Sequence, residues 1–462
     1  MATMTATAVP DVHRRLRATP SWWPGAGVTA AGLSLLIVTA LWVSNGGITD
    51  LTSGDAITAV GRLTGLYASD LLLIQVLLMA RIPLVERAFG QDRLARWHRW
   101  TGFSSFWLMM AHIVTITVGY ASGGNVLTEL WNLILNYPGM LLAAAGTVAL
   151  LTVVVTSIRA ARRRLRYESW HLLHLYAYLG VGLALPHQIW AGEDFTGTAW
   201  ARAYWWTLYL AAAGAVLAYR IGLPLARNRK HRLTVSHVVA EAPGLTSVHL
   251  SGERLAELPV RAGQFFHWRF LDGKGWSRSN PFSLSSTPGG DMLRITVKNQ
   301  GDGSSRMATL KPGTRVLIEG PYGKLTGEDY AGEPVVLMAC GVGITPLMSL
   351  LGELPFPDGE ATLVYRARNE GELAFHRELE WYASRRGVRV VPLTGPRARR
   401  TSWLPSALSA NSDADALRQV APQIAASQVF ICGPEEWAGA ARAAAIEAGA
   451  RPDRVHTELF AW

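Results

Sequence analysis

The stretch His98-Arg-Trp-Thr-Gly-Phe-Ser-Ser-Phe-Trp-Leu-Met-Met-Ala-His112 decides how this chain folds, because it places two histidines 14 residues apart in an apolar segment. A second apolar segment, Trp170–Ile189, carries His174 and His187 13 residues apart. Ionisable side chains inside membrane helices are rare and usually functional, and a neutral imidazole is a common axial ligand of haem iron. Fourteen helical residues cover about 21 Å of a hydrocarbon core about 30 Å thick. Two such helices side by side would hold two haems stacked across a bilayer.

Helical geometry alone leaves the ligands of the second segment open. Fourteen residues return nearly to the same helix face, whereas 13 residues fall about 140° away. The segment with His174 and His187 must therefore twist, and Pro186 with its neighbouring glycines provides the means. His171, one turn before His174, is a competing ligand whose spacing to His187 is no better.

Six apolar stretches have the length of a membrane-spanning helix. They are Ala26–Val43, Tyr67–Leu84, Thr101–Tyr120, Pro138–Ile158, Trp170–Ile189 and Tyr204–Gly222. Arginine-rich and acidic connections alternate between them, so the positive-inside rule predicts an integral protein of the plasma or inner membrane with both termini in the cytoplasm. His98 and His174 then lie near the cytoplasmic face, and His112 and His187 lie deeper toward the outside.

Charge and cysteine content exclude other classes of protein. The net charge of +10 comes from short arginine blocks between apolar stretches, which is typical of cytoplasmic loops and argues against nucleic acid as a partner. The two cysteines, Cys340 and Cys432, predict neither a disulfide framework nor a cysteine metal site. The first 25 residues are interrupted by Pro and Arg, so we expect no cleavable signal peptide.

The second half of the sequence reads as soluble domains, with short β-rich runs and Gly/Pro punctuation. Leu233–Leu325 predicts a small antiparallel β-barrel. Pro334–Trp462, where strands alternate with helices, predicts a doubly wound α/β nucleotide-binding domain. The expected fold is therefore an α-helical six-span transmembrane bundle followed by these two domains.

Three motifs in the second half point to cofactor chemistry. Ala339–Pro346 (ACGVGITP) follows the apolar strand Val335–Met338 and opens a helix, whose free N–H groups suit a pyrophosphate that the glycines allow to approach. Phe430–Pro434 ends a late strand, where open sheets bind ligands. Asn280–Ser286 alternates an aromatic ring with hydroxyls, which suits a flat cofactor but equally an ordinary strand.

Together these residues resemble the transmembrane NADPH oxidase and ferric reductase family over nearly the full chain. The resemblance implies a cytoplasmic segment (1–25), a six-helix di-haem domain (26–225), a ferredoxin-reductase-type FAD-binding domain (231–327) and an NAD(P)-binding domain (333–462). It implies two b-type haems, FAD and NADPH as cofactors, with NADH as the alternative nucleotide.

The same resemblance assigns the ligands. It pairs His98 with His174 on the inner haem and His112 with His187 on the outer one, which favours His174 over His171. The FAD contacts carried over are Gly263, Gln264, Phe265, Arg278, Asn280, Pro281, Phe282, Ser283, Lys298, Gly303, Ser304 and Ser305, and the nicotinamide-nucleotide contacts are Gly341, Gly343, Thr345, Pro346, Gly433 and Pro434. Cys432, in the signature beside the nicotinamide, is carried over as a catalytic residue.

Several positions carry more specific expectations. The family commonly has His or Arg at the position of Asn280, so we expect Arg278 to supply the positive charge there. Phe460 is expected to cover the flavin and yield to nicotinamide, with Trp462 as the alternative. Arg366 and Arg368 follow a predicted strand, where they suit an adenosine 2′-phosphate or form an ordinary basic loop.

The implied activity is electron transfer from cytoplasmic NADPH, through FAD and two haems, to a small external acceptor. Dioxygen, giving superoxide, is favoured over ferric or cupric chelates because the outer loops are short and lack a Met, His or Cys cluster. Arg62 at the outer start of the second span is expected to stabilise a developing anion, or else to snorkel or pair with a haem propionate. The alternatives are an electron-donor module for a separate periplasmic or extracellular partner protein, and a flavin enzyme with the helices as a mere anchor.

Overall fold

The computed structural model of the chain describes residues 22–158, 162, 164, 167–273 and 278–459. It divides into two compact units. Of the described residues, those up to Leu223 form the helical unit and those from Pro224 onward form the mixed unit.

The helical unit is built from long apolar helices joined by short ones. In chain order they are α1 (Trp23–Ser44), α2 (Gly47–Thr52), α3 (Ala56–Leu78), α4 (Pro83–Phe89), α5 (Gln91–Ala121), α6 (Val126–Asn136), α7 (Met140–Ser157), α8 (Tyr167–Ala191), α9 (Glu193–Thr196) and α10 (Ala199–Ala215). A π-helical segment, Val216–Gly222, continues α10 into α11 (Leu223–His231).

Among the residues that the structure describes, five helices are long and apolar enough to cross a membrane. They are Trp23–Ser44, Ala56–Leu78, Arg93–Ala121, Met140–Ser157 and Ala199–His231. The helix α8 is 25 residues long, but its histidines, its tyrosines and Gln188 make it less apolar than these five. The described residues therefore support several spans, and the predicted number of six is not confirmed.

Glycines allow the helices of this unit to pack closely. A Cβ atom on Gly146 of α7 would lie 2.8 Å from the carbonyl oxygen of Gly180 in α8. A Cβ on Gly180 would in turn lie 2.8 Å from Cγ of Leu150. Small residues at such contacts are what allows membrane helices to approach each other without a water-driven hydrophobic effect. Elsewhere the buried core of the unit consists of Val38, Trp42, Ala59, Leu66, Leu73, Phe195, Trp205 and Ala212.

The first part of the mixed unit contains two antiparallel sheets around one core. Their strands are β1 (Thr234–Ala242), β2 (Leu245–Ser251), β3 (Phe265–Phe270), β4 (Asn280–Ser283), β5 (Met292–Lys298) and β6 (Val316–Tyr322), ordered β1-β2-β5 and β4-β3-β6. A short helix, α12 (Asp302–Ser305), follows β5. Only the isolated bridges Thr234↔Arg315 and Leu284↔Ile295 connect the two sheets among the residues described. The predicted antiparallel strands are thus present, but a closed barrel is not confirmed, because the ladder does not continue from one sheet into the other.

The last part is a doubly wound α/β domain, as the sequence predicts. Its strands β7 (Val335–Cys340), β8 (Ala361–Arg366), β9 (Arg389–Leu393), β10 (Gln428–Gly433) and β11 (Val455–Leu459) form a parallel sheet in the order β11-β10-β7-β8-β9. Its helices are α13 (Ile344–Glu353), α14 (His376–Arg386), α15 (Asp413–Val420) and α16 (Glu435–Glu447). Along β7, Leu337 and Ala339 join one buried core and Val336 and Met338 the other, which is the alternation expected of a strand covered on both faces.

The helix α11 is fastened to strand β6. The side-chain amide of Asn228 donates from Nδ2 to the carbonyl of Ile318 (2.9 Å) and accepts at Oδ1 from the N–H of Ile318 (2.8 Å). Arg227 donates to the carbonyl of Gly320. The edge of β6 is thereby hydrogen-bonded by a helix, and this edge leads directly into the turn Gly320–Gly323.

Candidate functional site

The structure brings the four predicted histidines together in two pairs. His98 of α5 and His174 of α8 have ring centroids 5.9 Å apart. His112 of α5 and His187 of α8 have ring centroids 6.2 Å apart. Two imidazoles that bind one metal from opposite sides, each at about 2 Å, have centroids about 6 Å apart. Both pairs therefore have the spacing of two axial ligands, and the histidine facing His98 is His174.

Backbone carbonyls orient the rings of α5. Nδ1 of His112 lies 2.8 Å from the carbonyl oxygen of Gly61, and Nδ1 of His98 lies 3.2 Å from that of Gln75. Since a carbonyl only accepts, each Nδ1 must carry the proton and each Nε2 keeps its lone pair for a ligand bond. Nδ1 of His174 faces Oγ of Ser157 at 3.3 Å, whereas the buried Nδ1 of His187 has no hydrogen-bond partner among the described residues.

Two glycines make room for the second pair. A Cβ on Gly65 would lie 2.5 Å from Nδ1 of His112. Gly139, which has a φ of +77°, lies against α8 so closely that a Cβ would be 2.6 Å from the backbone nitrogen of His187. Any larger residue at either position would displace a histidine.

These residues fit haem better than a metal bound by protein alone. In the part of the chain that the structure describes, no group of three or more His, Cys, Asp or Glu side chains is placed to hold a metal ion. Haem iron takes its equatorial nitrogens from the macrocycle and needs only axial ligands from the protein. Two opposed neutral imidazoles supply that need at each pair.

Arg62 is held by carboxylates. Its Nε and Nη2 donate to the two oxygens of Asp194 (2.9 and 2.8 Å), and Nη1 donates to Asp50 (2.8 Å). Nη2 also donates to the carbonyl of Asn45 at 3.0 Å. With two carboxylates around one guanidinium, the cluster has no spare positive charge, so its geometry favours a structural role over the predicted stabilisation of an anion. Sequence reasoning missed Asp194 as a partner because it lies 132 residues further along the chain.

The predicted flavin residues converge at the start of β3. Phe265 pairs with Ser283 of β4 and with Tyr322 of β6, so these three side chains share one face of the sheet. A Cβ on Gly323 would lie 3.2 Å from the Phe265 ring and 3.3 Å from a carboxylate oxygen of Glu458. The end of β11 therefore reaches this face, and Phe460 and Trp462, which follow it, lie outside the described residues.

Close backbone contacts fix the remaining flavin residues. Gly263 has a φ of +83°, and a Cβ there would lie 1.8 Å from the carbonyl oxygen of Leu325, so only glycine fits. The side chain of Gln264 accepts from the N–H of Arg261 (2.9 Å) and donates to the carbonyl of Gly323 (3.4 Å). In β4, Pro281 and Phe282 are half-buried and Ser283 is buried.

Asn280 lies beside the turn that was predicted to contact the pyrophosphate. A Cβ on Gly303 would be 3.3 Å from Oδ1 of Asn280, and the buried Nδ2 of Asn280 has no hydrogen-bond partner among the described residues. An orphaned N–H donor at this place suits a phosphate oxygen, although it carries no charge. Ser304 accepts from the N–H of Gln300 (2.8 Å), and Ser305 is exposed.

The basic residues near this turn differ in their surroundings. Lys298 lies 3.6 Å from Glu372 in an ion pair whose side chains are about one-fifth exposed (20% and 22%). Arg278 is half-buried. Arg278 comes two residues before Asn280, whereas the charge of Lys298 is offset by Glu372.

The predicted nucleotide loop lies at the switch point of the parallel sheet. Gly341–Gly343 form a single 3₁₀ turn between β7 and α13. A Cβ on Gly343 would lie 2.2 Å from the carbonyl oxygen of Cys432, so the ends of β7 and β10 meet here. Thr345 and Pro346 are buried in the first turn of α13, while Pro434 is exposed after Gly433. Ligands of open α/β sheets bind at such a point.

Burial keeps both thiols of this site protonated. Burial raises the pKa of Cys432 well above its usual value, with the nearby Glu458 adding to the effect. Burial also raises the pKa of Cys340 to about 11, against the opposing effect of Arg366 and other basic residues. Cys432 is therefore a neutral group that shapes the site rather than a thiolate nucleophile.

Arg366 and Arg368 have different environments. Arg366 is buried and donates to the backbone carbonyls of Ala367, Leu393 (3.2 Å) and Gly395 (2.7 Å), and burial lowers its pKa. Arg368 is exposed, with Glu372 3.6 Å away. The structure therefore commits Arg366 to holding the loop after β9 and leaves Arg368 as the arginine that a phosphate can reach.

Comparison with known proteins defines both halves of the chain. Residues 64–185, which include His98, His112 and His174, match the family described as ferric reductase like transmembrane component. Residues 337–443, which include the nucleotide loop and Cys432, match the oxidoreductase NAD-binding domain. The chain has the domain architecture of a ferric reductase-like oxidoreductase. As the resemblance predicts, the chain combines a ferric reductase-like transmembrane component with an oxidoreductase NAD-binding domain.

Several curated proteins are similar to about half of this chain. A flavohemoprotein of Bacillus subtilis (strain 168) is 28% identical over 238 residues, which are 48% of this chain and 56% of the relative. The ferredoxin reductase component of a 3-ketosteroid-9-alpha-monooxygenase from Mycobacterium tuberculosis is 30% identical over 48% of this chain and 62% of the relative. The solved FAD/NAD binding domain of a nitric oxide dioxygenase from Vibrio cholerae is 23% identical, with a TM-score of 0.41 over 50% of this chain and 99% of that one. The chain spans about half to two thirds of the length of the curated relatives it matches.

Proposed function

We propose that this oxidoreductase carries electrons across a membrane, from NADPH in the cytoplasm to a small external acceptor, with FAD and two b-type haems as its cofactors. The observation that carries the proposal is the spacing of the two histidine pairs, 5.9 and 6.2 Å between ring centroids. Both pairs are formed by the same two helices, α5 and α8, so they lie at successive depths of one bundle. Two one-electron sites at two depths are what transfer across a membrane requires.

The histidines would hold the haems through Nε2. His98 and His174 form one ligand pair, and His112 and His187 form the other. Haem iron, when bound, changes between its ferric and ferrous states and so carries one electron at a time. The carbonyls of Gln75 and Gly61 keep Nδ1 protonated on the two α5 ligands, which fixes the tautomer that coordination needs.

The mixed unit would supply electrons to the bundle. FAD, when bound, accepts a hydride from the nicotinamide and releases electrons singly. Phe265, Phe282 and Ser283 would border the flavin ring, and Asn280 with Gly303 would receive its pyrophosphate. Gly341, Gly343 and the first turn of α13 would bind the nicotinamide nucleotide, next to Cys432, Gly433 and Pro434, and Phe460 would cover the flavin.

The preference for NADPH would depend on Arg368. Its exposed guanidinium can form charge-assisted hydrogen bonds with a 2′-phosphate, whereas Arg366 donates to backbone carbonyls. We propose the cytoplasm as the site of nucleotide binding, since the Arg-rich connections between the spans would face it.

Dioxygen is the acceptor we propose, with superoxide as the product. Two histidines holding each haem would leave no open iron site for a small molecule, and among the described residues of the helical unit no cluster of metal-binding side chains is present to capture a chelate. Asp50 and Asp194 neutralise the charge of Arg62, so this arginine has no role in stabilising superoxide in the proposed reaction.

The test uses the purified full chain in detergent, supplied with haem, FAD and NADPH. We expect a reduced-minus-oxidised spectrum with b-type haem bands, consumption of dioxygen, and formation of superoxide. If turnover is slow in air and a ferric chelate accelerates it, the chelate and not dioxygen is the acceptor. A spectrum without b-haem bands would overturn the proposal, and so would a His112→Ala variant with full haem content.

One observation favours a second candidate function. A relative of the mixed unit is by name the ferredoxin reductase component of a monooxygenase, so it is one part of a larger system. An electron-donor module for a separate external protein would reduce its haems with NADPH and yet turn over slowly with both dioxygen and chelates. That pattern in the same assay would select this alternative.

A further inference from the structure

Helix α6 has three distinct faces. Its residues fall within 121–137, the connection between two predicted spans, which was expected to be an outer loop. Leu133 is 5% exposed and packs into the bundle. A polar face carries side chains that hydrogen-bond to one another, with Asn132 donating to Glu129 (3.1 Å) and Asn136 donating to Asn132 (2.8 Å). The third face is apolar and uncovered.

The uncovered face is a stripe of large side chains four residues apart. Leu127, Trp131 and Leu135 are 70%, 63% and 66% exposed. Residues i, i+4 and i+8 lie on one side of a helix, so the three side chains form one continuous surface. Three large apolar groups in a row against water would be unfavourable by about 25 cal/mol for each Å² of apolar surface.

The position of α6 in the chain decides what covers this stripe. It connects the end of α5 at Ala121 with the start of α7 at Met140, and both of those helices are long and apolar enough to span a membrane. Its 11 residues cover about 16 Å, too little to cross the hydrocarbon core. A short helix at the ends of two spans lies where lipid headgroups and acyl chains meet.

We propose that α6 lies in the plane of the membrane interface, with Leu127, Trp131 and Leu135 inserted into the acyl boundary of a phospholipid bilayer. Asn132 and Asn136 then face water, as the polar side of an interfacial helix does. Trp131 has the amphipathic ring that is enriched at this depth. The binding site is one for lipid, and it depends on neither the haems nor the orientation of the chain.

This lipid contact bears on the second histidine pair. The residues after α6 run through Tyr137, whose ring lies 6.1 Å from that of Tyr120, to Gly139. Gly139 lies against the backbone of His187. The segment after α6 therefore connects the Tyr120 contact on α5 with the His187 contact on α8, so the seating of α6 bears on the second histidine pair.

The test places one spin label at a time on the full chain in phosphatidylcholine vesicles. Leu135→Cys on the apolar stripe is compared with its neighbour Asn136→Cys on the polar face. A second pair, Leu127→Cys and Asn132→Cys, repeats this comparison of stripe and polar face nearer the start of α6. The wild-type chain, treated in the same way, gives the background from Cys340 and Cys432. Collision with dioxygen, which dissolves in acyl chains, is compared with collision with a water-soluble nickel chelate.

We expect the labels at residues 127 and 135 to favour dioxygen several-fold over the nickel chelate and the label at 136 to show the reverse. Water-like accessibility at all four positions would overturn the proposal. In a second measurement, brominated phosphatidylcholine should quench a fluorescent label at residue 135 and should not quench one at residue 136. None of these measurements requires haem, so a chain that fails to bind haem would still give the expected labels.

Discussion

Arg62 and Asp194 form a two-point ion pair, in which Nε and Nη2 of the arginine donate to separate oxygens of the carboxylate at 2.9 and 2.8 Å. The Asp194 side chain is only 7% exposed, so its charge is compensated by this arginine and by the Nδ2 donor of Asn45 at 2.9 Å. The pair joins α3 to α9, which lie far apart in sequence. The ion pair therefore holds these two helices together at the end of the bundle.

Replacing Arg62 by Gln should therefore lower stability more than activity. Removing one partner of a largely buried pair leaves the other charge uncompensated and costs about 3 kcal/mol. The measurement is thermal unfolding in detergent beside turnover per folded molecule. Arg62→Lys, which keeps the charge but loses the two-point geometry, should fall between Gln and the wild type. A large loss of turnover at unchanged stability would restore a role for Arg62 at the acceptor.

Single histidine variants should remove haem one pair at a time. We expect His174→Ala and His112→Ala each to lose about half of the b-haem absorbance, since each breaks one of two axial pairs. His171→Ala, one turn from His174, is the matched control and should keep full absorbance. Loss of haem in His171→Ala with retention in His174→Ala would reverse the assignment.

A methyl group on Gly139 should disturb His187. Gly139→Ala introduces a Cβ 2.6 Å from the backbone nitrogen of His187, at a φ of +77°. Gly123 has a similar φ of +84° but no heavy atom within 4 Å of its would-be Cβ. In both alanine variants the left-handed backbone lowers the free energy of unfolding by about 1 kcal/mol. Only the difference between the two variants therefore reports the contact of residue 139 with His187. We expect lower stability and altered haem spectra in Gly139→Ala, and equal behaviour of the two variants would refute the contact.

The two arginines after β8 should respond differently to substitution. Arg368→Ala should raise KM for NADPH about tenfold and leave KM for NADH unchanged, because a charged hydrogen bond to phosphate contributes about 1.5 kcal/mol. Arg366→Ala should instead lower the unfolding temperature, because three backbone carbonyls lose their donor. Steady-state kinetics with both nucleotides distinguishes the two. A selective NADPH effect in Arg366→Ala alone would show the assignment to be wrong.

The stacked pair His237 and His249 should make the mixed unit sensitive to acid. The rings lie 4.1 Å apart, and burial, then His237, then Arg294 lower the pKa of His249 to about 4, against the opposing effect of Glu378. The folded state therefore keeps His249 neutral, whereas the unfolded chain protonates it near pH 6.5. Stability is present above that pH and falls as the pH drops from about 6.5 to 4. Chemical unfolding from pH 7 to 4.5 should show a shallower decline in His249→Gln, and parallel curves would exclude this histidine as the cause.

The parts of the molecule that the sequence predicted best are those in which polar residues interrupt an apolar pattern. His98 and His112 stand out because charge-bearing groups are costly in a membrane helix, and the nucleotide loop stands out because its glycines follow a buried strand. The roles of these residues stay predictions, while the placement of the side chains is now visible.

The parts that the sequence did not predict depend on contacts between distant segments. Nothing local in the sequence distinguishes Arg366, which binds its own backbone, from Arg368, which faces solvent. The helix α6 was missed because Glu129 and Asn132 break an otherwise apolar run. A helix with three different faces has a mixed sequence pattern that resembles a loop until the surroundings of each face are known. The barrel was expected from the short β-rich runs and their turns, whereas its closure depends on hydrogen bonds between β-strands that the pattern does not encode.

The histidines of the second pair are fastened unequally, and this has a consequence for how the protein acquires its cofactor. The ring of His112 is fixed by the carbonyl of Gly61, whereas Nδ1 of His187 has no hydrogen-bond partner among the described residues. His112 would therefore be the preorganised ligand of this pair, and a haem, when bound, would fix the ring of His187.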